Sequence, residues 1–401
     1  VSPGAAAIAV SAAALGICGG ARSARTRRAV LLAATPAVGV LLALRYEAAH
    51  RLSALLFFPS ILLAYLVWRA ATAPRERRAA RCSAAAAGLV AIFVLWKAAA
   101  LQAEIYRVLH VPARYLLAGA WLGGSYILFR LIHVAIEARK PGFPELAFPE
   151  FALYVLFPAT LMAGPIARLP EFSKNFSYAR PRFGEAAEGA RRILVGIFKK
   201  FVVADFIAIL PIGFAHGGLS TPRLWASLYL FGFQLFFDFA GYCDIAIGAA
   251  ALAGFVVPEN FHSPYLQANI TRFWQSWHAT LSGWMRDYLF FPLGRALRTR
   301  APRLPAAAAA LVCQTATMVV IGLWHGLFAG YAVWGLWHGL GLFAHREWSR
   351  ARAGRPPGAW APLRRAGATF VTFQFVMIGW VFFYGTSLAE SMTVLAKLAG
   401  R

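Results

Sequence analysis

The stretch AAAAALVCQTATMVVIGLWHGLFAG, residues 306–330, contains no Asp, Glu, Lys or Arg. A helix needs about 20 mostly apolar residues to cross roughly 30 Å of hydrocarbon, and residues 306–329 supply them. Comparable runs occur at 3–20, 29–44, 52–70, 84–101, 115–136, 193–214, 223–254, 331–344 and 366–388. With 60% hydrophobic residues, 14% charged residues and a mean hydropathy of +0.59 over 401 residues, the chain is too apolar for a soluble domain of its length. The runs predict an all-α, polytopic helical membrane protein with about ten to eleven spans. Two further segments are apolar but broken, 147–163 by Pro149 and Pro158 before Gly164-Pro165, and 287–297 by Pro292 and Gly294. Both are expected to be re-entrant or interfacial, because non-helical backbone at membrane depth must be covered by protein or line a wet cavity.

The charge balance is 40 Lys and Arg against 16 Asp and Glu, a formal +24. The basic residues form no single patch, which argues against a nucleic-acid partner. They fall instead in short clusters between apolar runs, such as Arg22 to Arg28 and Arg75 to Arg81. Loops rich in Lys and Arg face the cytoplasm in polytopic proteins, so 21–28, 71–82, 168–192 and 346–365 are expected there, with the amino terminus outside. Val1 to Gly20 lack a charged leading region and read as a first span rather than a signal peptide. The chain opens on Val1, which fits an alternative start codon or a truncation. Cys18, Cys82, Cys243 and Cys313 have neither metal-site nor disulfide spacing and read as thiols in apolar helices; no metal is expected.

No phosphate loop, G-x-S-x-G elbow or H-E-x-x-H motif is present. The chemistry-bearing candidates are polar residues in apolar surroundings. NITRFWQSWHATLSGWMRD, residues 269–287, opens with the capping residues Asn269 and Thr271 and is too polar to span. On one continuous helix Trp274, His278 and Leu281 would share a face, with Ser282 a turn beyond His278. This segment reads either as an interfacial helix with tryptophans at headgroup level or as the lining of a reaction chamber. Gly-Leu-Trp-His-Gly occurs twice, at 322–326 and 335–339, placing His325 and His338 13 residues apart. That spacing turns a helix by roughly 220°, so the two rings cannot share a face unless the helix breaks, which Gly330 permits. An intramembrane histidine beside Trp324 is either a satisfied core residue or a general base. Asp238 and Asp244 lie on an apolar run, where each is expected to pair with an Arg or His of a neighbouring segment.

FFDFAGYCDIAIG (236–248), PENF (258–261), FWQSWHATLSGWMRDYLFFPL (273–293) and IGLWHG (321–326) together resemble the membrane-bound O-acyltransferase family. The likeness is closest to its bacterial branch of alginate O-acetyltransferases and teichoic acid D-alanyl transfer proteins. GGSYILFRLIHVAIE (123–137) and MAGPIARLPEF (162–172) are similar to earlier motifs of that branch. The resemblance implies a divergent amino-terminal transmembrane bundle over 1–118 and an acyltransferase membrane core over 119–401. It implies His325 as catalytic general base and His278 as the second functional histidine, with His338 unassigned, around a central cavity reached from both membrane faces.

The implied activity is transfer of a short acyl group, acetyl in the first instance, from a cytoplasmic thioester such as acetyl-CoA to a hydroxyl of an extracytoplasmic glycan. No bound cofactor is expected. Asn269, Trp274, Trp277, Ser282, Trp324 and Asp238 are the candidate substrate-binding residues. The implied setting is a bacterial inner membrane, with the bilayer, the donor and an outside acceptor or periplasmic protein as partners. The alternatives are D-alanyl-type or long-chain lipid transfer, or a non-catalytic transporter or scaffold. A transporter would be expected to carry broken helices at corresponding places in two halves, and 147–163 and 287–297 share no such pattern.

Overall fold

The computed structural model describes residues 57–97, 123–177, 183–210, 219–354, 360–385 and 387–400. The expected spans 3–20 and 29–44, Cys18 and residues 115–122 lie outside the described residues. The chain is divided into two compact units, Val1–Phe198 with Gly241–Pro258, and Lys199–Ala240 with Glu259–Arg401.

The first unit carries α1 (Phe57–Ala71), α2 (Arg75–Lys97), α3 (Gly124–Glu137), α4 (Phe148–Val155), α5 (Leu169–Lys174) and α6 (Phe183–Ile197). The chain leaves this unit after Phe198, at the start of a wide π turn, Phe198–Ala204, and returns to it with the end of α8 (Thr221–Leu252) from Gly241. Over its described residues the expected span 193–214 belongs to a helical run from Phe183 to Ile209 that starts ten residues earlier, and 211–214 lie outside the described residues. The basic segment 71–82, expected as a loop, is mostly the opening of α2, since Arg and Ala are good helix formers and Pro74 sits just ahead of it.

α3 is buried from Gly124 to Ala135, and its Arg130 is the anchor for the broken segment that follows α4. α4 is eight residues long, about 12 Å, far too short to cross a bilayer. Arg130 donates to the carbonyls of Val155 and Thr160, each at 2.7 Å, and to the Thr160 hydroxyl at 2.5 Å. These acceptors are the last carbonyl of α4 and the short 3₁₀ turn Pro158–Thr160, groups that a helix end leaves without internal partners. The Leu169 N–H donates to Nε2 of His133 at 3.1 Å, and the Tyr154 hydroxyl donates to Ala167 O at 3.2 Å. Of the two prolines expected to interrupt 147–163, Pro149 lies in the first turn of α4, where its missing N–H is harmless, and the break falls after Val155 at Pro158, its irregular backbone buried in protein.

The second unit is built from the π turn after Phe198, α7 (Asp205–Ile209), α8 up to Ala240, then α9 (Ile270–Ser276), α10 (Ala279–Met285), α11 (Phe291–Arg300), α12 (Ala306–His325), α13 (Ala329–Ala351), α14 (Ala361–Tyr384) and α15 (Leu388–Leu398). α12 and α13 form a close antiparallel pair. A Cβ at Gly322 would collide with the Tyr331 carbonyl, and one at Gly335 would strike the Met318 backbone, so the two repeated pentapeptides supply the small residues that let the helices touch. Four helices among the described residues are long and apolar enough to cross a membrane: Arg75–Lys97, Thr221–Leu252, Ala306–His325 and Pro362–Tyr384.

Two breaks lie elsewhere than expected. The chain stays helical through Pro292 and Gly294, because Pro292 occupies the first turn of α11, where its missing N–H is harmless, and the irregularity is a π turn at Arg286–Phe290. Between the pentapeptides the helix ends at Gly326, in extended conformation, rather than at Gly330. Cys82, Cys243 and Cys313 are buried free thiols.

Candidate active site

The site grows from the segment 269–287, which is two short helices rather than one. Asn269 caps α9, its side chain accepting from the Arg272 N–H at 2.9 Å. Thr271 lies inside that helix, and its hydroxyl meets Nδ1 of His345 at 3.0 Å. α9 stops at Ser276, and His278 adopts φ 44°, ψ 50°, a left-handed conformation uncommon outside glycine. The chain is held in this bend by Asn260 of the PENF stretch. Its carbonyl accepts from Ala279 N–H at 2.9 Å, and its side-chain oxygen accepts from the Thr280 N–H at 3.2 Å and hydroxyl at 2.8 Å. Asn260 is wholly buried. The resemblance had marked PENF as a motif, yet no spacing rule connects it to a residue 18 positions later.

The bend turns the His278 ring into the protein. It is 4% exposed, edge-on to Phe239 at 4.8 Å between ring centres and 5.9 Å from Trp324. Its Nε2 is buried with no hydrogen-bond partner among the described residues. Burial first, and the nearby His325 ring second, hold this imidazole neutral, pulling its pKa down to about 3.

His325 is the last residue of α12 and is exposed. Its ring lies 4.5 Å from Trp324, 4.8 Å from Phe383, 5.9 Å from Trp334 and 6.0 Å from Tyr331. Trp324 thus touches both histidines. His338 is different. It is fully buried on α13, accepts the Trp274 indole N–H on Nδ1 at 3.3 Å, and packs against Trp334 at 4.9 Å.

A cavity of about 350 Å³ opens beside α9, α10 and α12. Trp274, Gln275, Ser282, Arg286, Gln314 and Thr317 give its polar lining, and Ile321, one turn before His325, lies on its wall. Gln314 Oε1 and Thr317 Oγ1 are buried there without hydrogen-bond partners among the described residues. The remaining candidates are placed as follows. Trp277 is buried against Phe261 at 5.2 Å and Trp380 at 5.3 Å, behind the cavity rather than on it. Ser282 donates to the Trp277 carbonyl at 3.3 Å. Asp238 pairs with Lys200, and Asp244 pairs with Arg192 at 2.6 Å, so both carboxylates have cationic partners from neighbouring segments. Asn260, Phe239, Gln314 and Thr317 were not singled out by sequence.

Residues 143–387 match the model of MBOAT, the membrane-bound O-acyltransferase family, and this stretch is more than half of the chain. The chain belongs to that family. It is a multi-pass membrane protein. It is similar to a peptidoglycan O-acetyltransferase of Helicobacter pylori, 36% identical over 262 residues that make 63% of this chain and 47% of the relative. It is 34% identical over 269 residues to a probable alginate O-acetylase of Pseudomonas aeruginosa, covering 67% of this chain and 49% of the relative. A teichoic acid D-alanyltransferase of Streptococcus thermophilus is 31% identical over 283 residues, 66% of this chain and 68% of the relative. The chain spans about half the length of most of the curated relatives it matches. The bend that buries His278 and the helix end that leaves His325 exposed both fall inside the family-matched stretch.

Proposed function

We propose that this protein transfers a short acyl group, acetyl in the first instance, from a cytoplasmic acyl thioester such as acetyl-CoA to a hydroxyl of an extracytoplasmic envelope polymer. Family membership and the two acetyl-transferring relatives support the reaction class. The observation that carries the site is the sharing of Trp324 by two unlike histidines, one exposed at a helix end and one buried with an unpartnered nitrogen.

A hydroxyl is a weak nucleophile at its free pKa, so a base must take its proton as it attacks. In this reading a neutral ring nitrogen of His325 removes the acceptor proton while the oxygen bonds to the thioester carbonyl carbon. The C–S bond then breaks, and the thiolate leaves with the proton returned from the imidazolium. His278, kept neutral by burial, orients the donor or donates to the developing oxyanion from its unpartnered Nε2.

The donor arm enters the cavity lined by Trp274 and Ser282, where Gln314 and Thr317 offer polar atoms to the amides of a pantetheine-like arm and Arg286 offers a cation to an anionic donor. The core over 119–401 is the catalytic module and 1–118 a supporting bundle. About ten to eleven spans, a central cavity joining two membrane faces, a bacterial inner-membrane setting and an outside acceptor or periplasmic partner complete the proposal. The D-alanyltransferase relative favours a second reading, with D-alanyl as the acyl group on the same residues.

The test is acyl transfer by purified His325→Ala in liposomes loaded with donor on one face. The variant should insert and purify normally yet lose about 10² to 10⁴ in rate. Wild-type rates from His325→Ala would remove the proposed base.

A further inference from the structure

An open groove of about 660 Å³ runs along α14, lined by Phe233, Tyr265, Thr369, Phe370 and Phe373, with Arg365 at one end. It is separate from the cavity beside α9, α10 and α12, since the two share no lining residue. Its apolar wall is formed by aromatic rings packed against one another, with Tyr265 5.6 Å from Phe373 and 5.7 Å from Phe233. The Tyr265 hydroxyl is turned away to donate to Gly232 O at 2.7 Å, so it offers the groove its ring rather than its polar tip.

The polarity of the groove is graded along the helix. Arg365, Thr369 and Phe373 fall at steps of four residues and so form one stripe. Eight residues of helix carry this stripe about 12 Å from the cation into the apolar body of a membrane span. No acidic residue stands in the first turn of α14 or among the groove's lining residues, so the Arg365 charge has no carboxylate to meet there. Trp360, 72% exposed, precedes Arg365 by five residues and sets this end of the helix at headgroup level. One positive charge at headgroup depth, over an apolar groove that descends along a span, has the charge and polarity order of an anionic phospholipid.

We propose that this groove is a binding site for an anionic phospholipid, with its phosphate on Arg365 and one acyl chain between Phe370 and Phe373. The site lies in the same unit as the candidate active site, but its occupancy does not depend on the proposed reaction.

The test titrates the full-length detergent-purified chain with phosphatidylglycerol or phosphatidylcholine of identical acyl chains and counts bound lipids by native mass spectrometry. Wild type should hold phosphatidylglycerol about fivefold more tightly, the worth of about 1 kcal/mol for one basic side chain at an anionic surface. Arg365→Ala should erase the preference while leaving phosphatidylcholine binding unchanged. Thr369→Trp, which fills the groove and keeps the charge, should weaken both lipids. Arg300→Ala, an exposed arginine on α11 outside the groove, should behave as wild type. Equal binding of the two lipids by wild type, a preference that survives Arg365→Ala, or the same loss in Arg300→Ala would each overturn the proposal.

Discussion

The Trp274 indole donates its N–H to Nδ1 of His338, 3.3 Å away, and both side chains are buried. An accepting Nδ1 puts the His338 proton on Nε2, and the ring is enclosed by Trp334, Phe375 and Trp380. His338 therefore works as a packed hydrogen-bond acceptor that fixes a wall of the cavity. His338→Ala should lower stability by about 2 to 4 kcal/mol through the cavity left and the stranded indole N–H. His338→Asn, which keeps an acceptor near Nδ1, should recover part of that loss. Thermal unfolding of both variants checks this, and acyl transfer per folded molecule should stay within about tenfold of wild type, unlike the loss expected at His325.

The apolar length of α12 is legible in sequence because it is a local signal, and Asn269 as a cap is equally local, whereas the glycine repeat shows its packing role only once α12 and α13 lie side by side. The bend at His278 is not legible in sequence. Residues 269–287 have the composition of one amphipathic helix, and what breaks it is Asn260, whose contacts to Ala279 and Thr280 exist only after the chain has folded back. Arg130 hides for the same reason. Its role is set by Val155 and Thr160 carbonyls that have lost helical partners because of prolines in another segment. The carboxylate partners were foreseen in kind, and Lys200 and Arg192 could not be named because several cationic residues compete in sequence and geometry chooses among them.

Asn260 should matter to rate as well as to stability. Asn260→Ala removes the acceptor for two Thr280 donors in a buried site, a loss of about 1 to 3 kcal/mol. It also frees the bend that aims His278, and a displacement of about 1 Å costs as much as 10²-fold in an oriented reaction. Steady-state kinetics on the folded fraction should therefore show a fall in kcat. A variant that is less stable but catalytically normal would limit Asn260 to a structural part.

His278 makes stability depend on pH. Its folded pKa is near 3, below the ordinary histidine value of about 6.5, so between these limits the unfolded chain binds a proton that the folded chain does not. The stabilisation is fully present above pH 6.5 and is lost as pH falls toward 3. Melting temperature should thus drop from pH 7 to pH 4.5 in wild type. It should drop less steeply in His278→Asn, whose side chain tolerates the left-handed backbone and does not titrate. An unchanged slope would show that His278 is not held neutral in the folded protein.

Gln314 and Thr317 separate donor binding from chemistry. Both present buried oxygens, unpartnered among the described residues, to the cavity beside α9, α10 and α12, whose lining does not include His325. If the donor arm lies there, its amide N–H groups meet these oxygens in ground state and transition state alike, and losing such uniform binding raises KM without changing kcat. Gln314→Leu and Thr317→Val keep the cavity walls near their present volume while removing one acceptor each. A neutral hydrogen bond is worth about 0.5 to 1.5 kcal/mol, so each substitution should raise the donor KM by roughly two- to tenfold. The acceptor KM and the kcat should hold. Stability should rise or stay level, because each substitution removes a buried polar atom that has no partner among the described residues. Should the acceptor KM move instead, the cavity belongs to the hydroxyl substrate, and the donor must approach His325 from the side of Tyr331 and Phe383.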